Sequence, residues 1–394
     1  MCQLLIISPK PTHPTVGGSR ASFRRWVEAY RAAGIDFHIV FIRIDSGDEA
    51  AMARAWGADR CTFLPYRQPA RPLLGRLWRR LLGTHRQPNH KPYHIDGWCG
   101  PELIQAIDTL ARRLQPACVH LEYVYISRLL ECFGPRVYKI LNTHDIFAGR
   151  ASLYLQHGVE PHWFFTTERQ EAKGLNRADC IIAIQQQEAA YFQSLTKKPV
   201  FNIGTDVDCL SPRPPVTPAP VLAFIGSAYT PNEEALQSFC RDIWPRIRAE
   251  LPDATLEIYG QVCEKADPTI PGIRLAGVVP DLAGAYNRAW LVICPLRFGT
   301  GLKRKCIEAL GQGKALVTTA VGAEGLEDGR GQAFLCADDP AEFARLCLQV
   351  LRDPALRQQL EAAASAYVHA YNQKQQRRLQ EVMARAGLLN PSAP

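Results

Sequence analysis

Two doubly wound α/β domains are what this sequence predicts, and three observations predict them. Short apolar runs alternate with longer amphipathic ones, which is the rhythm of parallel βαβ units. Residues 203–220 hold five prolines in a stretch that can be neither helix nor central strand, so a linker falls there. At 394 residues and 47% hydrophobic content, the chain is long enough for each half to bury its own core.

The first half reads as strands at Leu4–Ser8, Phe37–Ile42, Cys118–Leu121 and Lys139–Asn142, with helical patterns at Ser19–Ala33 and Leu103–Leu114 between them. The run from Asn176 to Gln185 and the amphipathic segment after it continue the alternation to Val200. Beyond the linker, strands are expected at Val221–Ile225, Thr255–Tyr259, Arg274–Ala276, Leu291–Pro295 and Ala315–Thr318. The boundaries expected are 1–202 for the first domain, 203–220 for the linker, 221–372 for the second, and 373–394 for a last helix and tail. In open sheets of this kind ligands sit outside the carboxyl ends of the strands.

The most informative stretch runs from Pro295 to Leu326 and reads as strand end, Gly-rich turn, helix, strand and turn. Gly299 and Gly301 let the backbone come close to a ligand, and the following helix points free N–H groups at an anion. Lys303, Arg304 and Lys305 are expected in its first turn, where the helix dipole disfavours cations unless a phosphate is held. Glu308 follows in the same helix, placed to accept hydrogen bonds from a sugar diol. An ordinary βαβ unit with a Gly turn would show the same spacing.

The string Gly299-Thr-Gly-Leu-Lys-Arg-Lys-Cys-Ile-Glu-Ala309 resembles the signature of retaining glycosyltransferases of family 4, the glycosyl transferases group 1 domain, in its G-T-G-L-K-x-K-x-x-E-A subgroup. The resemblance extends back through Gly272–Leu282 and Phe224–Ala235, covering most of residues 219–350, and holds for the first half in outline. It implies a GT-B fold, two Rossmann-like domains facing a cleft, with a last helix at Gln373–Ala386 crossing back to the first domain. It also implies transfer of a hexose-type sugar from a UDP- or GDP-linked donor to a hydroxyl acceptor, with retention and without a tightly bound metal. The donor site would comprise Gly226, the backbone of Gly277, Val278 and Val279 at the base, Gly299, Thr300, Gly301 and Leu302 at the diphosphate, Lys303 and Arg304 as cations, and Glu308 at the ribose. Two departures leave other readings open. Thr300 stands where the family's E-x7-E motif has its first Glu, and the stretch Gly226–Asn232 lacks the Arg and Lys that many relatives place there. A non-catalytic GT-B scaffold and a nucleotide-sugar epimerase of the same fold are the alternatives.

In the first half, Gly17 and Gly18 precede a helix whose cap is expected at Ser19, a second place for backbone amides to meet a phosphate or sugar. A plain loop would look the same, and the glycines that the family has at this position favour the ligand. His144 and Asp145 leave a buried strand at its carboxyl end. The resemblance gives His144 the donor hexose, with Asp145 beside it. His120 and Glu122 have either an acceptor-facing or a structural place.

Thirteen cysteines without a C-x-x-C pair read as reduced core residues. His90 and His94 have the spacing of helical metal ligands, but Pro92 lies between them and spoils the pair. No apolar run approaches the roughly 20 residues needed to cross a bilayer, and the start lacks a basic signal region, so a cytoplasmic place is expected. Arg60, Arg67, Arg71, Arg76, Arg79, Arg80, Arg86 and Lys91 occur without an acidic residue up to Ile95, and equal the net charge of +8. Within that segment residues 71–83 set leucines and Trp78 on one helical face and arginines on the other. That pattern suits docking on the anionic inner face of the plasma membrane; a surface helix packed on its own domain is the alternative. Nucleic acid is disfavoured, since no basic and aromatic residues interleave.

Replacing Arg76, Arg79 and Arg80 with Glu is expected to release the protein from anionic vesicles, each cation near such a surface being worth about 1 kcal/mol. Equal sedimentation of wild type and variant with such vesicles would show that the segment packs on its own domain.

Overall fold

The computed structural model describes residues 2–15, 17–67, 91–161 and 163–389. The segment 71–83 therefore lies outside the described residues. Backbone contacts divide the chain into two units, residues 1–203 with 378–394, and residues 204–377.

The first unit is built on seven parallel strands: β1 (Leu4–Ser8), β2 (Phe37–Ile42), β3 (Cys61–Leu64), β4 (Cys118–Glu122), β5 (Tyr138–Asn142), β6 (Cys180–Ala183) and β7 (Val200–Asn202), in the order 3-2-1-4-5-6-7. Every residue of β1, β2, β4 and β6 is buried. Burial on both faces explains why these strands read as continuous apolar runs rather than alternating ones. The helix Gly18–Ala32 lays Phe23, Trp26, Val27 and Tyr30 against the sheet, the i, i+3, i+4, i+7 spacing of one helical face. Asp48 caps the helix Glu49–Trp56 by accepting from the Ala51 N–H. Two apolar cores result, one holding Leu5, Val40, Leu121, Leu141 and Ile181, the other Leu4, Ile6, Ile39, Ile140 and Ile182.

The second unit has six parallel strands: β8 (Val221–Ile225), β9 (Thr255–Tyr259), β10 (Ile273–Gly277), β11 (Leu291–Cys294), β12 (Leu316–Thr318) and β13 (Leu335–Cys336), in the order 10-9-8-11-12-13. A single apolar core joins them to the helices around the sheet, Trp244 being its largest fully buried side chain. In each sheet the order reverses beside the strand that opens the unit, β1 or β8. This is the doubly wound α/β arrangement expected.

Three strands were not legible in advance. β3 and β7 are half-buried throughout and β13 has two residues, so none presents a long apolar run. The helix expected at Gln373–Ala386 is the end of a longer one, Pro354–Arg385, whose residues from Arg378 onward belong to the first unit. Val382 and Met383 there join the core of Leu4 and Phe37. The proline-rich stretch after Ile203 is fastened along the second unit. Leu210 N–H donates to the Gly311 carbonyl at 2.7 Å, and Lys314 Nζ to that of Arg213 at 2.9 Å.

Where β8 and β9 end, their loops pass within van der Waals contact. A Cβ at Gly260, where φ is +95°, would lie 2.2 Å from the Gly226 carbonyl oxygen. Gly260→Ala is expected to cost about 2 kcal/mol or more, since both the φ and the backbone contact resist a side chain. Urea denaturation checks it; an unchanged midpoint would mean that the loops separate freely.

Candidate functional site

In the second unit β11 gives way at Pro295 to the loop Leu296–Lys303, and the helix Arg304–Gly311 follows. Gly299 has φ +134° and Gly301 φ +77°, conformations that only glycine adopts at low cost. These two turns bring the chain round so that the helix begins at the end of the loop, with Lys303 at its cap position rather than in the first turn. Thr300 Oγ1 is buried there without a hydrogen-bond partner among the described residues. Buried hydroxyls are nearly always hydrogen-bonded, so this one is an exception among the polar groups of the loop.

The cations expected to stand ready for phosphate are already engaged. Lys303 is buried, and its Nζ donates to the Gly301 carbonyl at 2.6 Å, the Gly299 carbonyl at 3.4 Å and Glu324 Oε2 at 2.7 Å. Arg304 Nε donates to Glu308 Oε1 at 2.5 Å, so the carboxylate assigned to a ribose is held one helical turn on. Lys305 Nζ donates to Asn232 Oδ1 at 2.6 Å and stands 5.1 Å from the ring centre of Phe224. Asn232 in turn donates from Nδ2 to the Ser227 carbonyl at 3.1 Å, which ties the loop after β8, with Gly226, to the helix after β11.

Glu324 comes from the turn after β12. Thr319 Oγ1 donates to the Leu296 carbonyl at 2.5 Å, and the Gly322 N–H donates to Thr319 Oγ1 at 3.1 Å, so this turn is fixed beside the glycine loop. Sequence reading passed over Glu324, whose signal was its place in Gly322-Ala-Glu-Gly325 behind a buried strand. At the end of β10, Gly277 has φ +70° and its carbonyl accepts the Gly260 N–H at 2.7 Å; Val278 is exposed and Val279 half-buried. The structure thus joins Gly226, Thr300, Lys303, Arg304 and Glu308 through a connected set of hydrogen bonds and loops, with Gly277–Val279 on the neighbouring strand ends.

In the first unit the strand ends carry a second cluster. Gly17, at φ +88°, takes the cap position of the helix Gly18–Ala32, and no side chain caps it. Ser19 therefore is not the cap. Tyr123 and His144, which follow β4 and β5, both have left-handed backbones at φ +74° and +63°. Their rings stack 4.3 Å apart at 21°. Non-glycine residues held in that region are strained by about 1–3 kcal/mol each and gather at functional sites.

Beneath His144 lies Glu122, fully buried. His144 Nε2 contacts its Oε2, His120 Nε2 lies 2.8 Å from Oε1, and Asn142 Nδ2 donates to both oxygens at 3.3 and 3.4 Å. Burial alone would raise the Glu122 pKa, but His144 and His120 more than reverse it and bring it to about 2. His120 and Glu122 are interior and do not face an acceptor.

Asp145 pairs with Arg150 at 2.8 Å. The guanidinium of Arg150 lies 5.6 to 5.7 Å from the rings of Phe147, Tyr154 and Trp163, and Lys10 approaches Trp163 at 5.6 Å. Arg150, Trp163 and Lys10 were not singled out from the sequence, where no spacing marks them.

Residues 219–353 match the family model described as "Glycosyl transferases group 1". This segment is a glycosyl transferases group 1 domain. A curated relative in Klebsiella pneumoniae, an uncharacterized 44.6 kDa protein in the cps region, is 25% identical over 134 residues. That match covers 31% of this chain and 34% of the relative, so it spans about a third of the relative's length. Solved structures agree over the whole fold. HepE of Anabaena, in complex with UDP and glucose, has a TM-score of 0.65 at 14% identity, covering 98% of this chain and 100% of that one. The sucrose-phosphate synthase of Thermosynechococcus elongatus has a TM-score of 0.67 at 17% identity, covering 98% and 99%. The pneumococcal O-GlcNAc transferase GtfA, in complex with UDP and GlcNAc, has 0.65 at 10%, covering 98% and 99%. At these identities the likeness is one of fold, and the fold is GT-B.

The loop after His144 is held by a buried carboxyl. Glu171 Oε1 accepts the Phe147 N–H at 2.8 Å and Oε2 the Ala148 N–H at 3.1 Å. Burial raises its pKa to about 7 despite these bonds. Because the folded value lies above the unfolded carboxyl value of 4.5, the folded state binds more proton between them. Stability is therefore expected to fall as pH rises from 4.5 to 7, by roughly 3 kcal/mol, and then to level off. Glu171→Gln should flatten that slope in urea denaturation; an identical slope in wild type and variant would remove Glu171 as its source.

Proposed function

We propose that the chain is a retaining glycosyltransferase that moves a hexose-type sugar from a nucleoside diphosphate sugar to a hydroxyl acceptor. The observation that carries this is the glycine loop of the family-matched domain. There a buried lysine and a partnerless Thr300 hydroxyl meet at the start of a helix. UDP, as named for HepE and for GtfA, supports a UDP-linked donor, and GDP remains the other choice. The cps region named for the Klebsiella relative supports a lipid-linked glycan or cell-surface polysaccharide intermediate as acceptor.

In this reading the acceptor oxygen bonds to the anomeric carbon as the bond from that carbon to the diphosphate breaks. The electron pair leaves with the diphosphate, and the acceptor proton passes to the departing phosphate oxygen. Charge grows on the leaving group, so catalysis depends on groups already set to meet it. Lys303 exchanges Glu324 for a phosphate oxygen, and the N–H groups of Gly299–Leu302 approach the same anion. Arg304 adds a second charge, Glu308 holds the ribose, and the backbone of Gly277–Val279 reaches the base. His144 contacts the donor hexose with Asp145 beside it, and Gly17 and Gly18 offer amides to a phosphate or sugar. The protein acts in the cytoplasm, peripheral to the plasma membrane, docked through residues 71–83. Among the described residues no helix is long and apolar enough to cross a membrane.

Acceptor-dependent release of nucleoside diphosphate from a panel of sugar nucleotides is the direct test. A scaffold would give none, and an epimerase would interconvert sugars without net consumption. UDP at 100 times its dissociation constant should add about 2.7 kcal/mol of stability if it is the product. Lys303→Ala is expected to lower turnover on the order of a hundredfold or more with nucleoside affinity little changed. Near wild-type turnover would refute its leaving-group role. Glu308→Gln should weaken nucleotide binding, and an unchanged affinity would remove it from the ribose.

A further inference from the structure

Four side chains of the first unit lie in close polar approach from its interior to its strand-end surface. Tyr30 lies on the helix Gly18–Ala32, His120 and Glu122 on β4, and His144 just after β5. The Tyr30 hydroxyl is 2.7 Å from His120 Nδ1, His120 Nε2 is 2.8 Å from Glu122 Oε1, and Glu122 Oε2 contacts His144 Nε2. Tyr30, His120 and Glu122 are wholly buried, while His144 keeps 9% of its surface. The chain is closed at its inner end and open at its outer one.

With both imidazoles neutral, one proton arrangement fits these contacts. An ionised carboxylate only accepts, so the nitrogens facing it on both histidines carry protons. His120 Nδ1 is then an acceptor, and the tyrosine O–H, which needs one in the interior, donates to it. Asn142 adds its two N–H contacts to the same carboxylate and offers no competing acceptor to it. His144, with its proton spent on Glu122 through Nε2, is left with a lone pair on Nδ1. Among the described residues no hydrogen bond reaches that nitrogen.

The geometry around His144 fixes the plane of its ring. It stacks on Tyr123 at 4.3 Å, and both residues are held at positive φ. Such strain persists only where surrounding contacts over-determine it, and the carboxylate beneath is one of those contacts.

We propose that Glu122 is the positioning residue of the sugar-contact site, fixing His144 as its Nε2–H tautomer so that Nδ1 faces outward as an acceptor for a ligand hydroxyl. His120 and Tyr30 serve Glu122 rather than the ligand, holding its other oxygen so that the carboxylate cannot rotate away. A carboxylate that orients a histidine through one nitrogen and leaves the other for chemistry is a recurrent arrangement. The ligand recognised is a neutral hydroxyl donor, such as a hexose hydroxyl, and not an anion. The inference rests on the proposed function for the sugar contact of His144 and for its kinetic readout, and not for the tautomer.

The test uses the full chain labelled with ¹⁵N-histidine, with His144 assigned by the loss of its signals in His144→Gln. At neutral pH wild-type His144 is expected to show a protonated Nε2 and an unprotonated Nδ1; an Nδ1–H tautomer would overturn the proposal without any further variant. In Glu122→Gln the amide can accept from only one ring and donates toward the other. The Nε2–H pattern of His144 or of His120 is therefore lost, and a pattern unchanged at both would also overturn it. Tyr30→Phe should alter His120 and leave His144 as it is. Turnover with a sugar nucleotide in Glu122→Gln should fall on the order of 10- to 1,000-fold with the affinity for free UDP unchanged. A loss of stability with unchanged turnover would reduce Glu122 to a structural part. Should the protein neither bind nor consume any sugar nucleotide while His144 shows the expected tautomer, the proposed function fails and the positioning role stands.

Discussion

Parallel pairing is the constraint on which the rest of this structure depends. When every strand of a sheet runs the same way, all carboxyl ends meet at one edge, and each return must cross a face of the sheet. The chemistry-bearing residues of each unit then need no common place in the sequence. They need only follow different strands. Tyr123 and His144 follow β4 and β5, and Lys303 and Glu324 follow β11 and β12. The burial that makes these strands apolar on both faces also removes water from beneath their ends, which makes each polar contact there stronger.

Burial of charge is resolved differently in the two units. In the first, Glu122 is a carboxylate in the interior whose cost is met by two imidazoles and an amide, all within the same unit. Removing one partner of such a group is more costly than removing both, because the remaining charge is stranded. In the second, the cations at the helix start are engaged by acceptors, Lys303 by two carbonyls and Glu324, Arg304 by Glu308, and Lys305 by the Asn232 amide oxygen. A first-turn cation opposes the helix dipole, so these partners stabilise the helix start. The same partners define what an anion has to displace.

Glu171 shows how a site loop can be held by one group far along the chain. Its two oxygens take the N–H groups of Phe147 and Ala148, just past His144, and Tyr191 donates to it as well. Arg150, boxed by aromatic rings and paired with Asp145, closes the same loop from the other side. The backbone that presents His144 is thus secured by a buried carboxyl on one side and a buried guanidinium on the other.

The fold class, the two units and most strands were legible in the sequence, because a strand buried on both faces must be apolar throughout and such runs are visible without a structure. So was the glycine loop, since left-handed φ at Gly299 and Gly301 calls for glycine whatever surrounds it. β3, β7 and β13 were not legible, being short and only half-buried, and Ser19 was misplaced as a cap because a glycine can take that position with no side-chain signal. Tertiary structure alone decided the partners. Lys303 and Glu324 are 21 residues apart, Glu122 and His144 22, Tyr30 and His120 90. A sequence records which groups can carry charge or accept a proton, but pairing depends on distance in space, and that is set by the order in which parallel strands lie side by side.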